Sequence, residues 1–391
     1  MQYRKDISLL GYGCMRFTTK NNKIDFEKAE KEFMRAYELG VNYFDTAYIY
    51  PGSEDVAGRI VEKNNIRDKI KIATKLPQYM VKSTAALDRY FDEELKRLRT
   101  DYVDYYLMHH MTDVAQWENL VALGIKEWIE KKKASGQIRH IGFSFHGNKD
   151  IFLKILNSYD WEMCLVQYNY MDEITQAGRK GVQAAAARGI PVMIMEPLRG
   201  GRLVNLLPEK AKEEIKSDPH GWSAAEWSFR WLWDQEEVTC VLSGMNDIPM
   251  IEENCKIASD AKAGSFGEAE LELLSKVKGY INETFKVNCT GCRYCMPCPK
   301  GIDIPGIFSC YNRMYSDNKA TGREDYFHTI ALHREPADAT LCIGCGKCEK
   351  HCPQNIPIRE KLKEADKDLR AFPFNILFGA ARRVMVGKKK K

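Results

Sequence analysis

The chain has 391 residues, enough for one large domain and a small one. With 44% hydrophobic and 29% charged residues it reads as globular, which excludes a disordered or fibrous chain. A net charge of +5 gives no reason to expect nucleic acid, and no apolar run reaches the roughly 20 residues that span a bilayer.

In chain order, eight short β-rich runs are predicted: Ser8–Cys14, Val41–Ala47, Ile70–Leu76, Val103–His109, His140–Phe145, Met163–Tyr168, Pro191–Glu196 and Val238–Gly244. Several are almost continuously apolar, as parallel strands covered on both faces must be. Amphipathic stretches lie between them, among them Phe26–Leu39, Thr84–Leu98, Leu120–Ala134 and Ala224–Trp233. Ser83 stands at an N-cap position and Gly40 at a helix stop. Eight such alternations predict a (β/α)8 TIM barrel over residues 1–285. A doubly wound sheet is the alternative, but Gly11-Tyr12-Gly13-Cys14 does not continue into its glycine-rich fingerprint.

The C-terminal ends of barrel strands carry the chemistry of this fold, so their polar residues are the candidates. Asp45 and Tyr50 follow the second strand, Lys75 ends the third and His109 the fourth. A carboxylate, a phenol, an amine and an imidazole make a proton-transfer set. Lys75 would favour the phenolate of Tyr50, Asp45 would hold Lys75, and His109 would orient a substrate oxygen.

Thirteen cysteines occur, eight of them in two runs. Cys289, Cys292 and Cys295 are followed by Cys298-Pro299; Cys342, Cys345 and Cys348 are followed by Cys352-Pro353. The second run has the bacterial ferredoxin spacing, in which the fourth cysteine ligates the other cluster. Two [4Fe–4S] clusters with crossed ligation are therefore expected. Cys289, Cys292, Cys295 and Cys352 would hold one; Cys342, Cys345, Cys348 and Cys298 the other. The first run is one residue short before Cys298, which leaves Cys310 as the nearest other thiol. Zinc prefers two separated pairs. Disulfides need an oxidising compartment, whereas the N-terminal MQYRKDISLL lacks a signal-peptide core and points to the cytoplasm. Helical periodicity over Ile307–Met314 and Asp325–Leu332 predicts a small, mostly helical dicluster ferredoxin-like domain at 286–365. A basic tail follows at 366–391, where Arg382, Arg383 and Lys388 to Lys391 come after the apolar Ala371–Gly379. It reads as a frayed solubilising tail, with docking on an acidic partner or a membrane surface as the alternative.

These segments together resemble the aldo-keto reductase superfamily, in the subgroup that carries a C-terminal dicluster domain. The resemblance rests on Asp45 and Tyr50 five residues apart, on Thr74-Lys75, and on Tyr106-Leu107-Met108-His109. It implies carbonyl–alcohol interconversion on a small-molecule substrate with NADH or NADPH, Tyr50 acting as general acid. It also implies that Ser144 and Gln167 meet the nicotinamide and that the segment holding Gly244 and Asn254 grips the adenosine. Phe145 stands where the family usually has Asn, and Met195 where an aromatic residue stacks on the ring. Gly244 and Met250 replace the usual Lys and Arg for a 2′-phosphate, a lean toward NADH that Arg199 or Arg202 could reverse. Nicotinamides move electrons in pairs and clusters singly, so electron transfer to ferredoxin or a flavoprotein would need a converter such as FMN.

Overall fold

The computed structural model of the chain describes residues 6–111, 114–146, 149–173, 176–284, 286–316, 318–331 and 337–385. Lys388 to Lys391 and Leu332, all used in the sequence reading, lie outside them. Eight parallel strands close into a barrel: β1 (Leu10–Gly13), β2 (Tyr43–Asp45), β3 (Lys71–Leu76), β4 (Val103–Met111), β5 (Ile138–Phe145), β6 (Met163–Gln167), β7 (Val192–Met195) and β8 (Val238–Ser243). Each pairs with its neighbour in sequence, and β1 closes the ring by pairing with both β2 and β8 through Tyr12↔Phe44 and Tyr12↔Ser243. Buried side chains such as Tyr43, Tyr105, Leu107, Met163 and Met193 cluster together, as expected of a barrel whose interior is packed.

Around the strands, α1 (Phe26–Glu38), α2 (Ser53–Lys63) and α3 (Thr84–Leu98) follow the predicted periodicity. Gly40 adopts φ +94, the left-handed stop expected of it. Ser83 has the extended backbone of an N-cap but makes no side-chain cap bond. Leu120–Ala134 is two helices, Val114–Ala122 and Ile125–Ala134, because Gly124 turns left-handed at φ +81 between them. Trp227, Trp231 and Trp233 are buried, and Trp222 is half-buried.

Two compact units emerge, Met1–Pro197 with Glu226–Phe266, and Leu198–Ala225 with Gly267–Lys391. Segments 198–225 and 267–285, read from sequence as barrel, thus group with the cluster-bearing residues. The reason is local packing: helix Glu209–Ser217 lies against helix Glu268–Thr284, and Arg202 donates to the Val287 carbonyl at 3.1 Å. In this second unit the described residues contain helices and no strand. Ile302, Ile307 and Phe308 pack with Ile358 and Leu362 in its core, joining α4 (Ile304–Ser316) to α6 (Ile358–Leu369). Helix α5 (Lys319–Tyr326) lies between them in sequence, and α7 (Phe374–Met385) follows α6. The frayed-tail reading of 366–391 therefore needs correcting over its described part: α6 runs on to Leu369, and Phe378 of α7 is 8% exposed within the same core.

Candidate functional site

The loop after β2 is fixed at several points. Tyr50 N–H donates to the Ala47 carbonyl and Ser53 N–H to the Tyr50 carbonyl, each at 3.0 Å. Gly52, at φ +73, makes the turn that starts α2, a conformation that strains any side chain. The Ser53 hydroxyl donates to the Cys14 carbonyl at 3.0 Å. Behind the loop, the buried Glu54 accepts from Thr74 Oγ1 at 2.6 Å and from Arg97 at 3.1 Å. Arg97 also donates to the Tyr48 carbonyl at 3.2 Å. Strand β3 and helix α3 therefore hold the segment that carries Tyr50.

All four sequence-predicted residues come together here. Lys75, 1% exposed, donates to Asp45 Oδ1 and to the Thr46 carbonyl, both at 2.6 Å. Its ammonium lies 5.1 Å from the centre of the half-buried Tyr50 ring. The Tyr50 and His109 rings meet edge to face at 5.9 Å and 86°. Burial pushes the Asp45 carboxyl up, with Lys75 pulling against it. Burial, and then Lys75, His110 and His146, hold the His109 imidazole well below its usual range. His109 is thus neutral near pH 7 and serves as a hydrogen-bonding group. Its Nδ1 and Asp45 Oδ2 are buried without a protein partner.

A bulge aims His109. Met108 pairs with Phe143 and Met111 with Phe145, so three steps on β4 face two on β5. His110 takes up the difference at φ +58, and its N–H donates to Ser144 Oγ at 2.8 Å. Ser144 therefore ties down the bulge that carries His109. The His110 and His146 rings lie 4.7 Å apart, tilted by 32°. Gln167 is held at both ends, accepting from Gln176 Nε2 at 2.9 Å and donating to Asp172 at 3.2 Å. The buried Asn254 donates to Ser243 Oγ at 3.3 Å.

Sequence reading found no cation for Gly244, but one is present. A Cβ at Gly244 would lie 2.8 Å from Arg16 Cδ, so the Arg16 stem lies directly over this glycine. The Arg16 guanidinium is 3.7 Å from Glu196. Arg199 and Arg202, the cations considered from sequence, are buried. Arg16, the Glu54–Arg97 pair and the histidines beyond His109 were all missed. Only adjacency to His109 could have flagged His110; the others depend on which strands become neighbours.

In the second unit, Cys289, Cys292, Cys295 and Cys352 line one partly open pocket. Ile304, Phe308, Ile356 and Ile358 complete its wall. Burial, and then the thiols of Cys289, Cys292 and Cys352, push the Cys295 thiol up. Three thiols of one run thus meet the fourth of the other, the crossed pattern read from spacing. Four thiols around an apolar space suit an iron–sulfur cluster, whose irons would neutralise the thiolates. Among the described residues, no three His, Cys, Asp or Glu side chains are placed to hold a single metal ion.

For the other set the backbone bends at Gly344 (φ +73) and Gly346 (φ +69). Cys342 lies within electrostatic reach of Cys348, and Arg359 of both. Cys298 packs at the edge of the core, whereas Cys310 is 4% exposed within it on α4.

Residues 9–263 match the aldo/keto reductase family, and residues 288–356 match a 4Fe-4S dicluster domain. L-galactose dehydrogenase of Arabidopsis thaliana is 25% identical over 303 residues, which are 70% of this chain and 91% of that protein. Methylglyoxal reductase YeaE of Escherichia coli is 26% identical over 285 residues, 71% of this chain and 93% of that one. An aldo/keto reductase from Klebsiella pneumoniae, solved with NADP and acetate, shares the fold with a TM-score of 0.57 and 22% identity. That alignment covers 70% of this chain and 92% of the other. With a closed barrel of eight parallel strands and a family match spanning most of it, this chain belongs to the aldo/keto reductase family and carries a 4Fe-4S dicluster domain.

Proposed function

We propose that the chain interconverts a carbonyl and an alcohol with a nicotinamide cofactor, Tyr50 acting as general acid and base. The grouping of Tyr50 with Lys75, Asp45 and His109 carries this reading. A nicotinamide, when bound, would supply hydride chemistry at the substrate carbon. Tyr50 Oη gives its proton to the substrate oxygen, and the fixed Lys75 ammonium stabilises the phenolate left behind. The neutral His109 imidazole orients that oxygen, and the two donors together stabilise developing alkoxide charge by several kcal/mol. Relatives named as a reductase and a dehydrogenase, and a neighbour solved with NADP, support this reaction class.

Ser144, Gln167, Gly244 and Asn254 are proposed to border the cofactor, Ser144 partly through the His110 bulge it secures. The reason for favouring NADH was a missing cation; with its stem over Gly244 and its guanidinium beside Glu196, Arg16 is a candidate for that role. The proposed organisation is a barrel within 1–285, a cluster domain at 286–365 and a C-terminal segment at 366–391 whose described part is helical and packs with the second unit. Cys289, Cys292, Cys295 and Cys352 would hold one [4Fe–4S] cluster, and Cys298, Cys342, Cys345 and Cys348 the other. A cytoplasmic location is proposed with this reading, since a reducing compartment suits cysteines that serve as cluster ligands.

A second reading, electron exchange with ferredoxin or a flavoprotein, is favoured by the exposure of Cys342 and Cys345. Anaerobic protein should be screened against carbonyls and alcohols with NADH and NADPH, its visible spectrum examined for FMN, and its clusters followed by EPR. Reduction of at least one carbonyl is expected. Failure of every carbonyl and alcohol with both cofactors would refute the first reading. Clusters that stay oxidised through turnover would refute the second.

A further inference from the structure

Residues 371–391 contain six cations, Arg382, Arg383 and Lys388 to Lys391, and no Asp or Glu, whereas Arg370 just before them is paired with Asp338 and Asp366. None takes part in the chemistry above. Helix α7 opens this stretch and has two apolar sides. Phe374 and Phe378, one turn apart, face the unit: the Arg323 guanidinium lies 4.5 Å from the Phe374 ring, and the Phe378 ring is 5.6 Å from those of Tyr326 and Phe327. Ile376 lies away from that stripe and Leu377 borders it, and the two are 61% and 53% exposed. Phe372, just before the helix, is 79% exposed. These are three of the four most exposed large apolar side chains among the described residues, and they lie within six positions of one another.

We propose that this segment docks the protein on an anionic lipid bilayer, with Phe372, Ile376 and Leu377 entering the interface and the cations meeting the headgroups. The inference is independent of the proposed reaction. A segment that served only to solubilise the chain would gain nothing from three uncovered apolar side chains within so basic a stretch of sequence. A second copy would bring the same unbalanced positive charge and be repelled. A bilayer of anionic lipids offers apolar depth and diffuse negative charge along one plane, the combination that amphipathic basic helices use. Attachment would be peripheral, because no helix among the described residues is long and apolar enough to cross a membrane.

The test uses the full chain with its clusters loaded, kept anaerobic, and vesicles of phosphatidylcholine alone or with about one third phosphatidylglycerol. Co-sedimentation is expected with the anionic vesicles only and should weaken as salt is raised. Replacing Lys388 to Lys391 by Gln should weaken it at least tenfold, since each cation near a charged surface contributes roughly fivefold. Ile376→Ser with Leu377→Ser should abolish it while leaving the cluster absorbance and nicotinamide binding unchanged. No sedimentation, or equal sedimentation with neutral vesicles, would overturn the proposal. So would binding that survives the Ile376 and Leu377 substitutions, or lipid-free self-association that those substitutions remove.

Discussion

The barrel site and the cluster cavity are organised in opposite ways. In the barrel, protein groups hold one another: Lys75 is fixed by Asp45 and Thr46, Glu54 by Thr74 and Arg97, and Ser144 by the His110 N–H. The cofactor and substrate would enter an arrangement already built. In the second unit, Cys289, Cys292, Cys295 and Cys352 face a shared space, where burial and the other three thiols raise the cost of ionising Cys295. That arrangement lacks its central bonds until metal supplies them. A site assembled from ion pairs keeps its shape when empty, and one assembled from thiols depends on what fills it.

The sharpest way to break the comparison is Lys75→Met. It leaves Asp45 buried without its cation, which costs about 3–5 kcal/mol, and it removes the group that supports Tyr50. Carbonyl reduction should fall by roughly a thousandfold. Asp45→Asn combined with Lys75→Met should recover stability in urea denaturation but not activity. Recovery of both would mean that the ion pair is only structural.

Cys352→Ser addresses the other region. Crossed ligation predicts that iron content falls by about half, and that proteolysis then cuts within 286–365 before it cuts the barrel. Loss of protection in the barrel first would contradict the contrast between the two sites.

Arg16→Ala should weaken nicotinamide binding by about tenfold, in keeping with one charge-assisted contact to phosphate. A larger loss for NADPH than for NADH, read by fluorescence titration, would assign Arg16 to the 2′-phosphate. Equal losses would assign it to the pyrophosphate, and no loss would remove Arg16 from the cofactor site.

The smallest effect is in pH. Burial depresses the folded-state ionisation of His109 and His146, whereas an unfolded His titrates near 6.5. Below about pH 6.5 the unfolded chain binds more protons than the folded one, so stability should fall as the solution is acidified. Urea midpoints at pH 7.5 and 5.5 would measure this, and His146→Gln should reduce the difference.

Sequence and structure agree best where a period or a spacing states the answer. All eight strands, the helices at Phe26, Thr84 and Ala224, the proton-transfer set and the Cys289–Cys352 crossing were legible because each depends on local pattern. What escaped depends on which strands become neighbours. Arg16 meets Gly244 because β1 pairs with β8 across the closure of the barrel. Glu54 and Arg97 meet because α2 and α3 pack so closely that a Cβ on Gly58 would strike the Arg97 carbonyl at 2.4 Å. The His110 bulge is a register event between β4 and β5 that no alternation of side chains announces. The break at Gly124 was hidden inside an otherwise helical period.

The central claim is that the Tyr50 phenol, supported by Lys75, delivers the proton. Single-turnover reduction of a carbonyl by Tyr50→Phe, with nicotinamide binding followed in the same samples, tests it most directly. Binding should stay within about twofold while the rate falls at least a hundredfold. A rate equal to that of the unaltered protein would contradict the account.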